Sequence, residues 1–264
     1  MKLSFYTPIA YDYKYAIASI MSYYDIADEI FLMLDEDKIS WSNKKYELDN
    51  VDLDRKIHEI DVDKKIHLKM SNFHKLQHPI ENETAERNYI SQDCKKDNYI
   101  IGIDSDEVLL NPLEFANWLN QYSEAKFDIS CTLLSIYKVF ADKLLITLPH
   151  EDTRIGTNLV NCYKKCRLTS NRLSVKSPLQ ILHFSWGRSR QEVVQKLSNW
   201  GHSKDFDILK YLEIWDSVTL DNYQEKVNLH PLKLKQWWQK LELLDLQSFN
   251  LSEKLREKIR CFQS

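Results

Sequence analysis

Short apolar runs alternate with helical patterns over the first two thirds of the chain. Between the first two runs, the apolar residues of Lys14 to Tyr24 recur at helical spacing. Strands are predicted at Lys2 to Tyr6, Glu29 to Leu34, Lys56 to Ile60, Tyr99 to Ile103, Phe127 to Ser135, Leu144 to Leu148 and Leu179 to Trp186. This alternation predicts an α/β fold with a mixed, mostly parallel sheet flanked by helices.

The last third of the chain has a helical pattern. Ser189 and Glu192 have the spacing of a capping box and predict a helix from about Arg190 to Trp200. Further amphipathic helices are predicted, including Leu232 to Leu244 and one that carries Leu251, Leu255 and Ile259. Since no linker rich in proline or glycine precedes them, we predict one domain over residues 1–204 and a helical C-terminal extension, residues 205–264, packed on it.

Composition and charge exclude several classes of protein. The 36 basic and 39 acidic residues give a net charge of −3, which provides no broad positive field for nucleic acid. With only 4 glycines, the chain cannot assemble the glycine-rich phosphate loops of P-loop NTPases, protein kinases or the usual dinucleotide oxidoreductases. No apolar run approaches the roughly 20 residues that span a bilayer, and no signal peptide is evident, so a cytoplasmic location is predicted.

The 5 cysteines do not indicate a disulfide framework, because they are scattered and odd in number. Cys162 and Cys166 form a close pair. They lack a second pair of Cys or His nearby, which disfavours a structural zinc site.

Two aspartates, Asp104 and Asp106, directly follow the apolar strand Tyr99 to Ile103. Residues at i and i+2 on an extended backbone point to the same side, so both carboxylates can converge on one cation. Magnesium and manganese prefer such oxygen ligands. The alternative is a capping or turn cluster at a strand end. Ligands of open α/β sheets bind at the carboxyl ends of strands, which favours a site here.

The surrounding sequence resembles the core of family 2 and related GT-A fold glycosyltransferases. The resemblance rests on Glu83 to Asn88, with its Arg-Asn pair, and on Asn98 to Leu109, which contains the D-x-D-E motif. It continues with His150 to Asp152 and with Leu182 to Arg190, and it covers about residues 1 to 200. It implies a GT-A-like, nucleotide-sugar-binding catalytic domain.

The resemblance also implies an activity. The enzyme would be a metal-dependent, inverting glycosyltransferase that moves a sugar from a nucleotide-sugar donor to the hydroxyl of a glycan or lipid-linked acceptor. A Mn²⁺ or Mg²⁺ ion would bridge the donor phosphates and stabilise the departing nucleoside diphosphate.

Metal ligands implied by the resemblance are Asp106 first, then Asp104 and His183. Asp104 could instead hold the ribose or a metal-bound water. The alternative for His183 is a histidine that is hydrogen-bonded at a strand end.

The resemblance places the catalytic base at Asp152, with Glu151 as the second choice. An inverting transferase needs a carboxylate that takes the proton of the acceptor hydroxyl. The two side chains point apart on an extended chain, so only one is expected to reach the acceptor. The alternative is a solvated acidic turn.

Donor contacts are implied at the ends of the first two strands and at three arginines. The residues are Thr7, Pro8 and Asp35 for the base and ribose, and Arg87, Arg188 and Arg190 for the diphosphate. Alternatives are a salt bridge of Arg87 to a neighbouring glutamate and ordinary solvation of Arg188 and Arg190. The D-E-D-K text that begins at Asp35 departs from the family's usual D-D-G-S-x-D.

Two other functions compete with this hypothesis. A non-catalytic nucleotide-sugar or glycan-binding or scaffolding module would keep the fold without turnover. A nucleotidyltransferase is disfavoured because Tyr6 to Tyr13 lacks a glycine-rich basic loop. The sequence leaves the sugar, the nucleotide base, the acceptor and the oligomeric state open.

Overall fold

The computed structural model describes residues 2–92, 98–122, 127–159, 162–167, 172–200, 205–233 and 237–263. Its strands are β1 Leu3–Ile9, β2 Glu29–Asp35, β3 Ile66–Ser71, β4 Tyr99–Gly102, β5 Glu107–Leu109, β6 Asp128–Phe140, β7 Lys143–Leu148, β8 Glu151–Thr157, β9 Ser174–His183 and β10 Lys240–Asp245. Its α-helices are α1 Tyr13–Tyr23, α2 Asn50–Ile60, α3 Pro79–Ser91, α4 Pro112–Asn120, α5 Arg190–Asn199, α6 Ile208–Asp216 and α7 Glu253–Arg260. None of these described helices is long and apolar enough to cross a membrane. The predicted α/β class, with a mixed sheet flanked by helices, is confirmed.

The sheet has a parallel half and an antiparallel half. Strands β4, β1, β2 and β3 lie side by side in this order, and all their pairings are parallel. Beyond β4 the order continues through β8, β6, β7 and β10 with antiparallel pairings. Strand β9 lies parallel to β6 and also pairs with β5. The parallel half therefore brings the carboxyl ends of β1, β2 and β4 to one edge of the sheet.

Both faces of the parallel half are buried. On β2, Leu32 and Leu34 belong to one core together with residues of α1 and α2. Phe31 and Met33 belong to another, which includes Ile90 of α3. Successive side chains of a strand point to opposite faces, so α1 and α2 cover one face of the sheet and α3 covers the other.

The predicted strand from Lys56 to Ile60 is wrong, because this segment belongs to α2. Asp49 caps the helix by accepting hydrogen bonds from the next backbone amides, at 3.0 Å. Leu53 is buried, and Ile57 packs four residues later against the same core. This spacing and the capping aspartate are helix signals that outweigh the β-rich composition of the five residues.

The predicted helix from Leu232 to Leu244 is wrong at its C-terminal end, where β10 pairs antiparallel with β7. Leu241 is buried in this strand, so its apolar side chain packs against the sheet and not on the face of a helix. The predicted helix with Leu255 and Ile259 forms as α7, but it begins at Glu253, so Leu251 precedes it. All three side chains pack in one core with residues of α1. The division of the chain at residue 204 stays a prediction, and residues 201–204 lie outside the described ranges.

Candidate functional site

A cavity of about 300 Å³ lies at the carboxyl ends of β1, β2 and β4. Its walls come from the loops after these strands, from α3 and from the end of α5. Two groups of side chains matter for chemistry. The acidic corner consists of Asp104 and Asp106 with their basic partners, and the aromatic wall consists of Trp41, Tyr46 and Phe73.

Backbone pairing fixes the loop that carries the acidic corner. Glu107 begins β5 and lies opposite His183 of β9. The amide of Phe184 donates to the carbonyl of Asp106 at 2.9 Å. The Asp104 amide donates to Oε2 of Glu107 at 2.9 Å. The D-x-D-E segment is therefore held between β4 and β9, with little freedom to reorient.

Asp104 is paired with two arginines. Its Oδ1 contacts Nη2 of Arg87 and its Oδ2 contacts Nη2 of Arg167, each at 2.9 Å. Arg167 also contacts Oε2 of Glu107 at 2.7 Å, and Arg87 contacts Glu83 at 2.9 Å. Burial by itself would raise the pKa of Asp104, but the charges of Arg167 and Arg87 outweigh it and hold that pKa below its ordinary value. Asp104 is thus an ionised carboxylate.

Arg87 reaches Asp104 because α3 buries it against β1 and β4. Its side chain is 1% exposed, and its Nη1 donates to the Tyr6 hydroxyl at 3.3 Å. A Cβ at Gly102 would lie 2.4 Å from that hydroxyl oxygen. Glycine at this position therefore leaves the space in which Tyr6 supports the guanidinium.

Asp106 is buried and has three basic neighbours, all on Oδ2. They are Arg188, Lys196 of α5 at 2.5 Å, and Nε2 of His183 at 3.5 Å. Burial alone would raise the pKa of Asp106, but the charges of Lys196, His183 and Arg188 hold it well below the ordinary value. Arg188 also contacts Asp12 at 3.1 Å. Asp106 is therefore a counter-ion shared by basic groups from two elements.

Glu86 is a buried carboxyl beside the aromatic wall. It accepts a hydrogen bond from the Trp41 indole, with 2.5 Å between Nε1 and Oε2. Burial raises the pKa of Glu86 to about 8, against the opposing effects of the Trp41 hydrogen bond and of the Arg87 charge. The side chain is thus mainly a neutral acid at pH 7, which can both donate and accept hydrogen bonds.

Asp35 organises the backbone at the end of β2. Its Oδ1 accepts from the amides of Asp37 and Ile39 at 3.0 and 3.1 Å. Its Oδ2 accepts from the Phe73 amide at 2.9 Å and contacts Nδ1 of His74 at 2.8 Å. These contacts occupy both carboxylate oxygens, although Asp35 also lines the cavity.

One wall of the cavity joins distant parts of the chain. The Ser40 hydroxyl donates to Oδ1 of Asn199 at 2.9 Å, and these residues are 159 positions apart. Ser42 donates to the Asn199 carbonyl, and the Lys44 ammonium donates to the carbonyl of Ser198. The loop after β2 is thereby tied to the end of α5.

The predicted ligand set of Asp104, Asp106 and His183 does not fit a divalent cation in this arrangement. Both oxygens of Asp104 and the Oδ2 of Asp106 already contact basic side chains. A metal ion bound to these three oxygens would have to share each of them with a basic side chain or displace that side chain.

Another group could hold a metal ion. Among the described residues, Asp35, Asp37 and His74 have ligand atoms that all lie within 4.8 Å of one another. Asp35 would have to give up backbone hydrogen bonds to serve as a full ligand.

The predicted site residues fall into three groups. Pro8, Asp35, Asp104, Asp106 and His183 line the cavity. Arg87 and Arg188 are buried and contact the acidic corner. Thr7, Arg190, Glu151 and Asp152 are not among the lining residues.

Each member of this last group has another contact. Thr7 is fully buried and hydrogen-bonds the Tyr23 hydroxyl at 2.7 Å. Arg190 is exposed and contacts Asp216 at 3.0 Å. Asp152 contacts Lys176 at 2.7 Å, and Oε1 of Glu151 accepts from the Trp238 indole at 2.6 Å. The roles predicted for these four residues stay predictions.

Sequence reasoning missed Asp12, Trp41, Glu86, Arg167 and Lys196. A signal existed for Lys196, since it lies three residues after the buried Val193 and so shares the inward stripe of α5. Arg167 lies in a segment with no helical or strand periodicity, and only the fold brings it to Asp104.

No family model matches the chain, and no curated protein matches it. Three solved structures illustrate its distant similarity. S. aureus TarS 1–349 is 13% identical, with a TM-score of 0.41 over 87% of this chain and 79% of that one. UDP-glucose pyrophosphorylase complexed with UDP-glucose is 9% identical, with a TM-score of 0.32 over 99% and 98%. Mannose-6-phosphate isomerase from Helicobacter pylori is 12% identical, with a TM-score of 0.37, and 56% of each chain is covered. Similarity this low identifies neither a family nor an activity.

Proposed function

We propose that the chain is a glycosyltransferase that binds a nucleotide-sugar donor in this cavity and transfers the sugar to the hydroxyl of a glycan or lipid-linked acceptor. We place this reaction in the cytoplasm and expect it to invert the anomeric centre, as the resemblance implies. One observation carries the proposal. The cavity joins an aromatic wall to a D-x-D corner at the carboxyl ends of parallel strands.

The dimensions and lining of the cavity suit a nucleotide. Its volume of about 300 Å³ is at the lower end of the range for small-molecule sites, roughly 300–1,000 Å³. Trp41, Tyr46 and Phe73 provide aromatic surface against which a base can stack. Beside them, the neutral acid of Glu86 can hydrogen-bond the edge of that base.

The reaction also requires that the charge of the leaving diphosphate be stabilised. Basic groups near the D-x-D can do this. Of the described lining residues, Lys196 and His183 are the basic ones. A preorganised ammonium or imidazole stabilises negative charge that develops on a departing phosphate oxygen. No step is assigned to a metal, because the donor set at the D-x-D does not fit one in this arrangement.

The acceptor hydroxyl must lose a proton to a base. We propose Asp152, with Glu151 as the second choice, for this role. Both residues lie on β8 and do not line the cavity, so the acceptor would have to extend from the bound donor to β8.

Ligand-dependent thermal unfolding tests the proposal. UDP, GDP, CDP and ADP are each added with Mn²⁺ and, separately, with EDTA. At a ligand concentration 100 times the Kd, the free energy of unfolding rises by about 2.7 kcal/mol, so at least one nucleotide should raise the Tm. No shift with any of the four in either buffer would contradict donor binding.

A matched pair of variants locates the site. Trp41→Ala removes part of the aromatic wall and should weaken nucleotide binding about 5- to 150-fold, because stacking on an aromatic side chain contributes about 1–3 kcal/mol. Trp237→Ala is the control, since this tryptophan is partly exposed and does not line the cavity.

The reaction products give a separate test. Incubation of the protein with nucleotide sugars should release a nucleoside diphosphate. Release of pyrophosphate from a nucleoside triphosphate and a sugar 1-phosphate, without this reaction, would favour a nucleotidyltransferase.

A further inference from the structure

The acidic corner, taken with the other carboxylates that contact its basic partners, is already close to charge balance within the protein itself. Its carboxylates are Asp12, Glu83, Asp104, Asp106 and Glu107, and its permanent cations are Arg87, Arg167, Arg188 and Lys196. Five negative charges thus meet four positive charges, and His183 is a further basic neighbour of Asp106. An isolated cluster of carboxylates attracts a divalent cation far more strongly than this one does.

The cations hold fixed positions. Arg188 is 1% exposed, and its Nε donates to the Phe184 carbonyl at 2.8 Å while Nη2 contacts both Asp12 and Asp106. The guanidinium also lies 4.4 Å from the centre of the Tyr15 ring. Removing so buried a cation to admit a metal would leave Asp12 without its charge partner and break these contacts.

Lys196 differs from the arginines because it faces the cavity. It is 16% exposed and belongs to the cavity lining, whereas Arg188 does not. Burial and the nearby charge of Arg188 lower the pKa of Lys196, although Asp106 opposes this. When the ammonium turns from Asp106 to an incoming phosphate, Asp106 keeps Arg188 as its counter-ion. The exchange therefore leaves no buried carboxylate unpaired.

We propose that Asp104 and Asp106 act as counter-ions that neutralise the basic groups of this corner, and that Lys196, assisted by His183, binds the donor diphosphate without a divalent cation. This inference rests on the proposed function, and it names the basic side chains that would bind the diphosphate in place of a metal ion. Its chemistry is direct, charge-assisted hydrogen bonding between an ammonium and phosphate oxygens.

The first test needs no variant. The Kd of the tightest-binding nucleoside diphosphate of the four is measured by calorimetry with Mn²⁺ and with EDTA. We expect the two values to agree within about threefold, which is less than 1 kcal/mol. Binding that requires Mn²⁺ would overturn this inference and leave the proposed function standing. Binding in neither buffer would overturn both.

The second test uses Asp106→Asn. A metal-ligand role and a counter-ion role of Asp106 predict different changes in nucleotide affinity for this variant. A metal ligand is needed for binding, so its loss should weaken nucleotide binding by at least tenfold in Mn²⁺. A counter-ion competes with phosphate for Lys196, so its neutralisation should leave binding in EDTA unchanged or tighter. The variant's Tm is recorded to verify folding, and weaker binding by a folded variant contradicts the counter-ion role.

The third test removes the ammonium. Lys196→Met should weaken nucleoside diphosphate binding in EDTA by about 10- to 100-fold, the value of one hydrogen bond to a charged group. Lys196→Arg should recover part of this loss, because a guanidinium also binds phosphate. Lys176→Met is the matched control, since Lys176 is exposed on β9 and contacts Asp152 outside the cavity. Unchanged affinity in Lys196→Met would refute the assignment.

Discussion

The acids of the acidic corner and those at the start of β8 look alike in the sequence but differ in the fold. Asp104 and Asp106 follow the central strand β4 and are enclosed by basic side chains. Asp152 lies on β8, where its side chain and that of its partner Lys176 are each 55% exposed. Electrostatic interactions are strong where water is excluded and weak where it screens, so the same residue type has different consequences in the two places.

The largest effect expected from this difference concerns Arg188. Arg188→Met removes the buried charge partner of Asp12 and one of the three basic neighbours of Asp106, and it should lower the free energy of unfolding by about 3–5 kcal/mol. Arg190→Met is the matched control two residues away, because Arg190 is exposed where it contacts Asp216 and should change stability by about 0–1 kcal/mol. Urea denaturation measures both. Equal losses would remove the distinction between the buried and the exposed pairs.

The next effect is the dependence of stability on pH through Glu86. The pKa of Glu86 is raised to about 8 in the folded protein, from about 4.5 in the unfolded chain. The bound proton therefore stabilises the folded protein fully below pH 4.5, and this stabilisation is lost as the pH rises through 8. Glu86→Gln removes this titration and keeps an acceptor for Trp41. At pH 8 it should be more stable than the wild type by about 1–3 kcal/mol, with the difference decreasing toward pH 5.

Glu81→Gln serves as the control, because Glu81 lies exposed in the first turn of the same helix. Thermal unfolding from pH 5 to pH 8 gives the slope for each protein. A Glu86→Gln curve parallel to the wild type would mean that Glu86 is ionised in the folded state.

The smallest effect is expected on β8. Asp152→Asn breaks only an exposed contact with Lys176, and the free energy of unfolding should change by less than about 1 kcal/mol. Transfer rates of Asp152→Asn and Glu151→Gln are then measured with the donor found by thermal shift. Loss of general-base catalysis costs about 100-fold or more, so a loss of that size with unchanged donor Kd would identify the base.

Local patterns were sufficient for most of the fold. The strand that precedes Asp104, the capping box at Ser189 and the apolar stripe of α7 are each specified by neighbouring residues. The segment from Lys56 to Ile60 was misassigned because its apolar composition also suits a strand, while the cap at Asp49 lies outside it. β10 was missed because its pairing with β7 involves residues about 100 positions away.

The candidate site was only partly predictable for the same reason. The sequence identified Asp104 and Asp106, which are adjacent to a clear strand end. It did not identify the partners, because Arg167 and Lys196 reach the two aspartates from 60 to 90 positions away, through contacts that only the tertiary structure defines. Charge balance in the corner is therefore a property of the fold and not of any motif.

The tie between Ser40 and Asn199 has a consequence for truncated forms of the chain. A polypeptide that ends before α5 lacks Lys196 and Asn199, and with them the part of the cavity wall that they form. A fragment that is clipped before α5 should therefore fail to retain the nucleotide.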